Sequence, residues 1–553
     1  MHSPRSGGPG RLRVSLTPWT LATLGAVVLV LLPLFSVFLG VLGESSETWR
    51  HLASTVLADY LRNSAVLVVG VGFLTMVIGV GTAWLVTTCA FPGRRLFEWA
   101  LILPLSIPTY IMAYTYAGIF AHTGPLQTGL QVAFDPATTA GLRTGLMSLP
   151  GAGVLMALVL YPYVYLITRT SFLKQSGGIL ETSRILGRSS WDTFSRVALP
   201  MARPAVVAGV TLVLMEVLNE YGAVRYFGVT TFTTGIFRAW FSLGDPPAAL
   251  RLSAYLLLFV FTLILLERWQ RGRARFDDVS GRARPAARFT LTGWRRWGAT
   301  TACAIPVTLG FAVPVLQLFS WATRAAPSYL DGQFLRLMAN SFALAIGASG
   351  LTIFTALLIV YSVRLAPTPF LRMAARASSL GYSIPGAVIA VGVLIPFIWI
   401  DRRLAAFLQG IAGISVGLVI TGTVVALLFA YLVRFLAVAL NPIDSGFERT
   451  CGNLDESARS LGASPMKTLF RVDLPLLRGT LLSAALLVFV DVLKELPLTL
   501  ILRPFNFDTL ATRAFQLAMD EQLARASLPS LLIIATGIVP VILLSKLIGR
   551  SRT

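Results

Sequence analysis

Charge is scarce in this chain: of 553 residues only 13% are Asp, Glu, Lys or Arg, while 55% are hydrophobic. A soluble domain averages about 25% charged residues. The shortage excludes an ordinary water-soluble globule and makes lipid the solvent. Lysine is rarer still, with four residues, Lys174, Lys467, Lys494 and Lys546. A phosphate-binding loop ends in Gly-Lys-[Ser/Thr], and none of the four follows a glycine. The chain therefore has no nucleotide-hydrolysing motif of its own. The three histidines (His2, His51, His122) and three cysteines (Cys89, Cys303, Cys451) are scattered. That excludes a histidine metal cluster and a disulfide framework. With no nucleophile beside a placed base either, nothing argues for a membrane-embedded enzyme or a catalytic residue.

Long apolar runs are what the chain has. Segments such as 21–42 and 528–544 do not alternate apolar with polar residues, as a transmembrane β-barrel would. Helices are then required, because each spanning segment must satisfy its own backbone. Twelve runs are expected to span, with centres that include residues 30, 109, 387 and 422. Pro104, Pro108, Pro385 and Pro396 predict kinks or breaks in the runs near 109 and 387. Arg5, Arg11 and Arg13 precede the first run. That run exceeds a signal-peptide core and ends in no small-residue cleavage site, so it reads as the first spanning helix. The net charge of +21 is almost all arginine. Its placement in alternate loops puts both termini in the cytoplasm, and it suits anionic lipid rather than nucleic acid.

The chain repeats itself. Asn63-Ser64 recurs as Asn340-Ser341 and Ser106-Ile107-Pro108 as Ser383-Ile384-Pro385, both at the same offset. Residues 181–200 recur as 456–475, with ten of twenty positions identical. The expected organisation is a first half (1–267), a cytoplasmic linker (268–296) with nine arginines and no helical periodicity, and a second half (297–553). Six helices per half restore orientation, so the repeats are parallel and related by an axis along the membrane normal.

Each copy of the repeated loop reads as two short helices around a turn. Gly187 and Gly462 stand where a left-handed residue ends the first helix. Ser189 and Ser464 are N-caps for the second. Asp192 adds a capping-box-like partner in the first copy, and Pro465 an N1 proline in the second. The second helix is expected to end at Val197 or Val472, before Pro200 or Pro475. It carries Trp191, Phe194 and Val197 in one copy and Met466, Leu469 and Phe470 in the other. An amphipathic helix lying on lipid would look similar. Two matched copies suit two equivalent grooves of a dimeric partner better.

The pattern Glu181-x5-Gly187 with Leu199-Pro200, repeated as Glu456-x5-Gly462 with Leu474-Pro475, resembles the EAA loops of ATP-binding-cassette importer permeases. Glu-Thr-Ser and Glu-Ser-Ala replace the usual Glu-Ala-Ala. The resemblance implies an all-α membrane protein with the type I importer fold, in a bacterial cytoplasmic (inner) membrane. It also implies coupling loops whose contributors include Glu181, Arg184, Gly187, Ser189, Leu199, Pro200, Glu456, Arg459, Gly462, Ser464, Leu474 and Pro475. The implied partners are two ATPase subunits, which use ATP and magnesium, and a periplasmic substrate-binding protein. No cofactor is implied for this chain.

Residues 220–222 and 226–236, with 491–497 and 502–511, resemble ferric-iron importer permeases. Thiamine, phosphonate, sulfate and polyamine permeases are the alternatives within the class, and a six-plus-six secondary transporter the alternative outside it. Glu216 and Glu220 are four apart, as are Asp491 and Glu495, which predicts one helix face in each half. At 1.5 Å per residue they lie about 20–25 Å beyond Arg203 and Arg478. Acids at that depth face a cavity or a partner. They either line a path for a hard cation or are neutralised by Lys494 and Arg225.

Overall fold

Why the chain folds as it does follows from its apolar runs. The structure, a computed structural model, describes residues 18–43, 46–121, 124, 141, 144–175, 182–183, 185–271, 288–329, 331–413, 417–450 and 452–550. Among the described residues ten helices are long and apolar enough to cross a membrane. Two broken pairs, Arg94–Ser106 with Thr109–Ile119 and Pro369–Ser383 with Gly386–Ile411, raise this to twelve if each counts as one span. The breaks fall at Pro108 and Pro385, and the first bends the chain by 92°. Pro396 lies inside the helix Gly386–Ala412. Strand structure among the described residues is one two-residue bridge, Cys89–Ala90 with Phe289–Thr290.

Two expectations need correction. The tenth span lies later than its expected centre near 422, because its helix starts only at Val424 and runs to Arg449. Gly413 and Gly422 take left-handed φ values of 64° and 76° just before it. The buried Asp401 carboxylate accepts the N–H groups of Val419, Ile420 and Thr421 at 3.1, 2.9 and 2.8 Å. An apolar but glycine-bearing segment thus satisfies its backbone through a side chain instead of a helix. The arginine-rich stretch 268–296 is also partly helical. One helix continues to Arg271 and the next begins at Trp294; most of the stretch between them lies outside the described residues.

The chain divides into two compact units that cut across the sequence halves. One comprises Met1–Ser36, Ala343–Ser383 and Gly392–Val492; the other comprises Val37–Phe342, Ile384–Val391 and Leu493–Thr553. In the first unit, the opening helix Pro18–Val41 packs on second-half helices. Trp19 meets Tyr361 edge-on at 5.4 Å, and the Ser362 hydroxyl donates to the Trp19 carbonyl at 3.1 Å. The Ser36 hydroxyl donates to the Gly392 carbonyl at 2.5 Å.

The second unit shows the same exchange. Its helices Trp294–Val307 and Val313–Tyr329, joined by a π-helical turn, open the second half and reach both halves: the first packs on Leu57–Thr88, while the second packs mainly on Leu523–Arg550 and also on Thr109–Ile119. The Tyr116 hydroxyl donates to the Leu309 carbonyl at 2.7 Å. A Cβ on Gly310 would stand 2.7 Å from the Leu158 carbonyl oxygen. The opening helix of each half thus also reaches the other half.

Helices Leu57–Thr88 and Leu149–Lys174 cross closely at Gly79, where a Cβ would come within 2.7 Å of Val164 Cβ and 2.9 Å of Tyr165 N. Close backbone approach through small residues is how helices associate without a hydrophobic driving force. Gly81, two residues on, faces open space. Gly79→Leu is therefore expected to abolish most monodisperse protein in detergent size-exclusion chromatography, while Gly81→Leu leaves the profile unchanged.

Candidate functional site

The two repeated loops fold alike. Gly187 has φ +77° and Gly462 φ +80°. The N–H of Arg188 donates to the Ser183 carbonyl at 3.1 Å, and that of Ala463 to the Ala458 carbonyl at 3.0 Å. These are the six-to-one bonds of a glycine-terminated helix end. Ser189 and Ser464 then cap the next helices, accepting from Asp192 N at 3.1 Å and Lys467 N at 3.4 Å. The Ser189 hydroxyl also donates to the Asp192 carboxylate at 2.7 Å. Glu181 and Arg184 lie outside the described residues, as do the side chains of Glu456 and Arg459, whose backbone is in the helix Gly452–Ser460.

The helix after each cap does not stop before the proline. Ser190–Thr193 runs through a π-helical turn, Phe194–Ala198, into Leu199–Asn219. Pro465–Thr468, Leu469–Asp473 and Leu474–Lys494 repeat the sequence of turns. Leu199 N–H donates to the Phe194 carbonyl and Leu474 N–H to that of Leu469, each a bond to the fifth residue back. The wider turn admits Pro200 and Pro475, which lack an N–H, at the start of the next α-helical segment. Loop and spanning helix are consequently one continuous rod of 30 residues in each copy.

The loops hold to neighbouring helices through equivalent positions. Trp84 packs on Phe194 at 5.1 Å and on Phe172 at 5.5 Å. Tyr361, the counterpart of Trp84 in the second half, packs on Phe447 at 6.3 Å and donates to the Pro465 carbonyl at 2.5 Å. The second loop carries an added ion pair, Arg364 Nε to Asp455 Oδ2 at 2.7 Å. On the outer side of each turn apolar side chains are bare. Ile185, Leu186 and Trp191 are 84%, 75% and 72% exposed, and Leu461, Met466 and Phe470 are 87%, 53% and 59% exposed. Leu469, expected on that face, is buried.

At the other end of each rod the helix breaks. Leu199–Asn219 ends before Glu220 and Leu474–Lys494 before Glu495, and each is followed by a short helix, Gly222–Tyr226 or Pro497–Leu502. Glu220 and Glu495 therefore stand just past the helix ends, four residues beyond Glu216 and Asp491. The physical reason is capping. Glu220 Oε1 accepts from Ala223 N–H at 2.7 Å, and Glu495 Oε1 accepts from Leu498 N–H at 3.2 Å. Each carboxylate thus satisfies the first amides of the helix after the break. The Thr109 hydroxyl also donates to Glu220. At the position matching Thr109 stands Gly386, where a Cβ would lie 2.6 Å from Glu495 Oε1. Its N–H donates to Asn219 Oδ1 at 2.7 Å.

These groups surround a cavity of ≈ 80 Å³ lined by Glu216, Glu220, Glu495, Lys494, Asn219 and Tyr110 among others. Tyr110 is buried, and among the described residues its hydroxyl has no hydrogen-bond partner. The fourth acid, Asp491, falls in the other unit. Lys494 lines the cavity, whereas Arg225 lines a neighbouring pocket instead. Among the described residues no three His, Cys, Asp or Glu side chains gather to hold a metal ion. Three carboxylates against one ammonium still leave the cavity attractive to cations.

Comparison with known proteins follows the same duplication. The family of binding-protein-dependent transport system inner membrane components matches at residues 76–275 and again at 367–552. The chain belongs to this family. It is the permease of an ATP-binding-cassette importer, a multi-pass inner-membrane protein, and such a permease works with an ATPase and a binding protein. Family membership sets aside the secondary-transporter reading. The permease is 26% identical over 530 residues, 94% of its length, to the Fe(3+)-transport system permease protein FbpB 2 of Haemophilus influenzae, 97% of which is covered. A putative ferric transport system permease of the same organism, FbpB 1, is 22% identical over 464 residues, 80% of this chain and 70% of that protein. The sulfate transport system permease protein CysT of Escherichia coli is 33% identical over 150 residues, 27% of this chain and 51% of that protein.

Sequence reasoning missed what Asn63-Ser64 and Asn340-Ser341 do in the permease. Ser64 Oγ accepts from Phe232 N at 3.4 Å and Ser341 Oγ from Leu510 N at 2.7 Å. These serines dock the helices Phe232–Phe237 and Leu510–Met519, whose capping boxes Thr231/Thr234 and Thr509/Thr512 also match. The repeated dipeptide was the visible signal. Its partner lies far along the chain and has no signal of its own.

In Glu220→Gln the amide oxygen can keep the Ala223 N–H while the NH2 donates to the Thr109 hydroxyl instead. This variant should preserve the melting temperature of the purified permease. Glu220→Ala orphans both donors and is expected to destabilise by about 1–3 kcal/mol, seen as a lower midpoint in a thermal unfolding scan.

Proposed function

We propose that this permease carries ferric iron delivered by a periplasmic binding protein. Two separate ATPase subunits, which use ATP and magnesium, would seat on its two EAA loops. The observation that carries the cargo reading is the near full-length similarity to a ferric permease, and the acid-lined cavity at the paired helix breaks agrees with it. A hard trivalent cation prefers oxygen ligands. Glu216, Glu220 and Glu495 offer carboxylates, and Asp491 stands one turn before the second break. Without a gathered metal cluster, these acids act on a passing ion through the potential of the cavity. A sulfate cargo is favoured by the higher local identity of the shorter match, but a dianion would meet three carboxylates and one lysine.

Coupling is assigned to the loops around Gly187 and Gly462. The exposed Ile185, Leu186 and Trp191, with Leu461, Met466 and Phe470, form the seats. The continuous rods 190–219 and 465–494 lead from seat to break. Closing the ATPase pair would move the seats, and each rod would carry that movement to Glu220 or Glu495. In this reading both termini are cytoplasmic, residues 1–267 and 297–553 form the two halves, and 268–296 joins them.

In proteoliposomes with ATPase and binding protein, Glu220→Gln with Glu495→Gln should lower radiolabelled ferric-iron uptake at least tenfold while the ATPase still co-purifies. Unchanged uptake would remove these acids from the path. Leu186→Asp with Leu461→Asp should weaken ATPase association about tenfold or more, measured by pull-down. Full association in that variant would refute the docking assignment.

A further inference from the structure

A second pair of related clefts lies beyond the helix breaks. One, ≈ 430 Å³, is lined by Tyr60, Tyr221, Arg225, Thr230, Phe237 and Arg238 with their neighbours. The other, ≈ 460 Å³, is lined by Asp331, Arg336, Leu337, Asn506, Asp508 and Arg513 with theirs. They are copies of one feature. Across the repeat Tyr60 corresponds to Leu337, Gly228 to Asn506 and Thr230 to Asp508. Gly228 and Asn506 share a left-handed backbone, with φ 68° and 59°. The fold therefore keeps the cleft in both halves, while its lining has diverged.

The divergence is electrostatic. The second cleft holds two acids and two arginines, and Asp508 is paired with Arg503. The first, among the described residues, holds Arg225 and Arg238 and no acid. Both arginines are exposed residues, and among the described residues neither has a salt-bridge partner. Arg238 stands beside the Tyr60 hydroxyl and Arg225 beside that of Tyr221. The floor is rigid and aromatic. Tyr60 and Tyr221 are buried, and Tyr221 stacks on Phe237 at 3.6 Å. Asn63 Nδ2 fixes the wall by donating to the Thr230 carbonyl at 2.9 Å.

Convergent arginines with nearby hydroxyls select oxyanions, which guanidinium binds in a two-pronged fork. A concave, aromatic-floored volume within the usual small-ligand range of about 300–1,000 Å³ suits a compact molecule better than a flat protein surface. We propose that the cleft between Tyr60, Tyr221, Arg225 and Arg238 is a binding site for a small free organic anion with two or more carboxylates. The site is separate from the cation-attracting cavity and does not depend on which cargo the permease carries.

The test is calorimetric titration of citrate into the full permease in phosphatidylcholine nanodiscs. Saturable binding is expected, weakened about tenfold or more by Arg225→Gln or Arg238→Gln. Tyr60→Phe should weaken it less, and Arg336→Gln in the paired cleft should leave it unchanged. Both arginines are exposed, so the Gln variants should match wild type in size-exclusion profile. The proposal is overturned by absence of saturable binding, or by equal affinity in the Arg225 and Arg238 variants. It is also overturned if citrate fails but phosphatidylglycerol in the disc protects the cleft in an arginine-dependent way, which would make the ligand a lipid headgroup. Loss of binding-protein affinity in the Gln variants without any citrate binding would reassign the cleft to protein docking.

Discussion

Backbone polar groups buried away from water must find partners, and this structure depends on that constraint. A straight helix meets it internally, but a permease needs breaks where a path can open. At the breaks that shape the cavity and the loop before Val424, side chains take over the orphaned amides. Glu220 and Glu495 accept from the short helices after them, Asn219 accepts from Gly386, and Asp401 accepts three amides of the loop. The acids at the breaks are capping groups first. Their charge is available to a cation only because the same geometry leaves them lining a cavity.

The two repeated loops obey the same rule differently. A proline at the entrance to a spanning helix removes a donor, and the π-helical turn before it accommodates the loss. Loop and helix thereby become one lever. A flexible joint at Pro200 or Pro475 would have isolated the apolar seats from the breaks. The halves are nevertheless unequal. Thr109 supports Glu220, while Gly386 leaves room for Glu495. The second loop is further tied down by the Arg364–Asp455 pair. Duplication supplied the plan, and the two copies have since been fitted to different neighbours.

Much of this was legible beforehand because it is local. Composition alone required lipid and helices. The left-handed glycines, serine caps and repeated loop follow from rules that act over a turn or two of helix. Pro108 and Pro385 marked the broken spans correctly. Where the reading failed, a distant partner was responsible. The span expected around 422 begins only at Val424, because Asp401 holds the residues before it as a loop. Helical periodicity put Glu216 and Glu220 together, and both line the cavity, but it gave no sign of the break after Asn219 that Glu220 caps through Ala223.

By itself the sequence determined the class of protein, its duplication and the capped turns of the repeated loops, since apolar run length, turn chemistry and internal repetition are written in neighbouring residues. Only the tertiary structure decided that the opening helix of each half reaches the other half, that Ser64 and Ser341 dock helices remote in sequence, and that Glu216, Glu220 and Glu495 meet around one cavity. Those outcomes depend on which distant groups satisfy one another's hydrogen bonds and fill one another's grooves, and no local pattern encodes that choice.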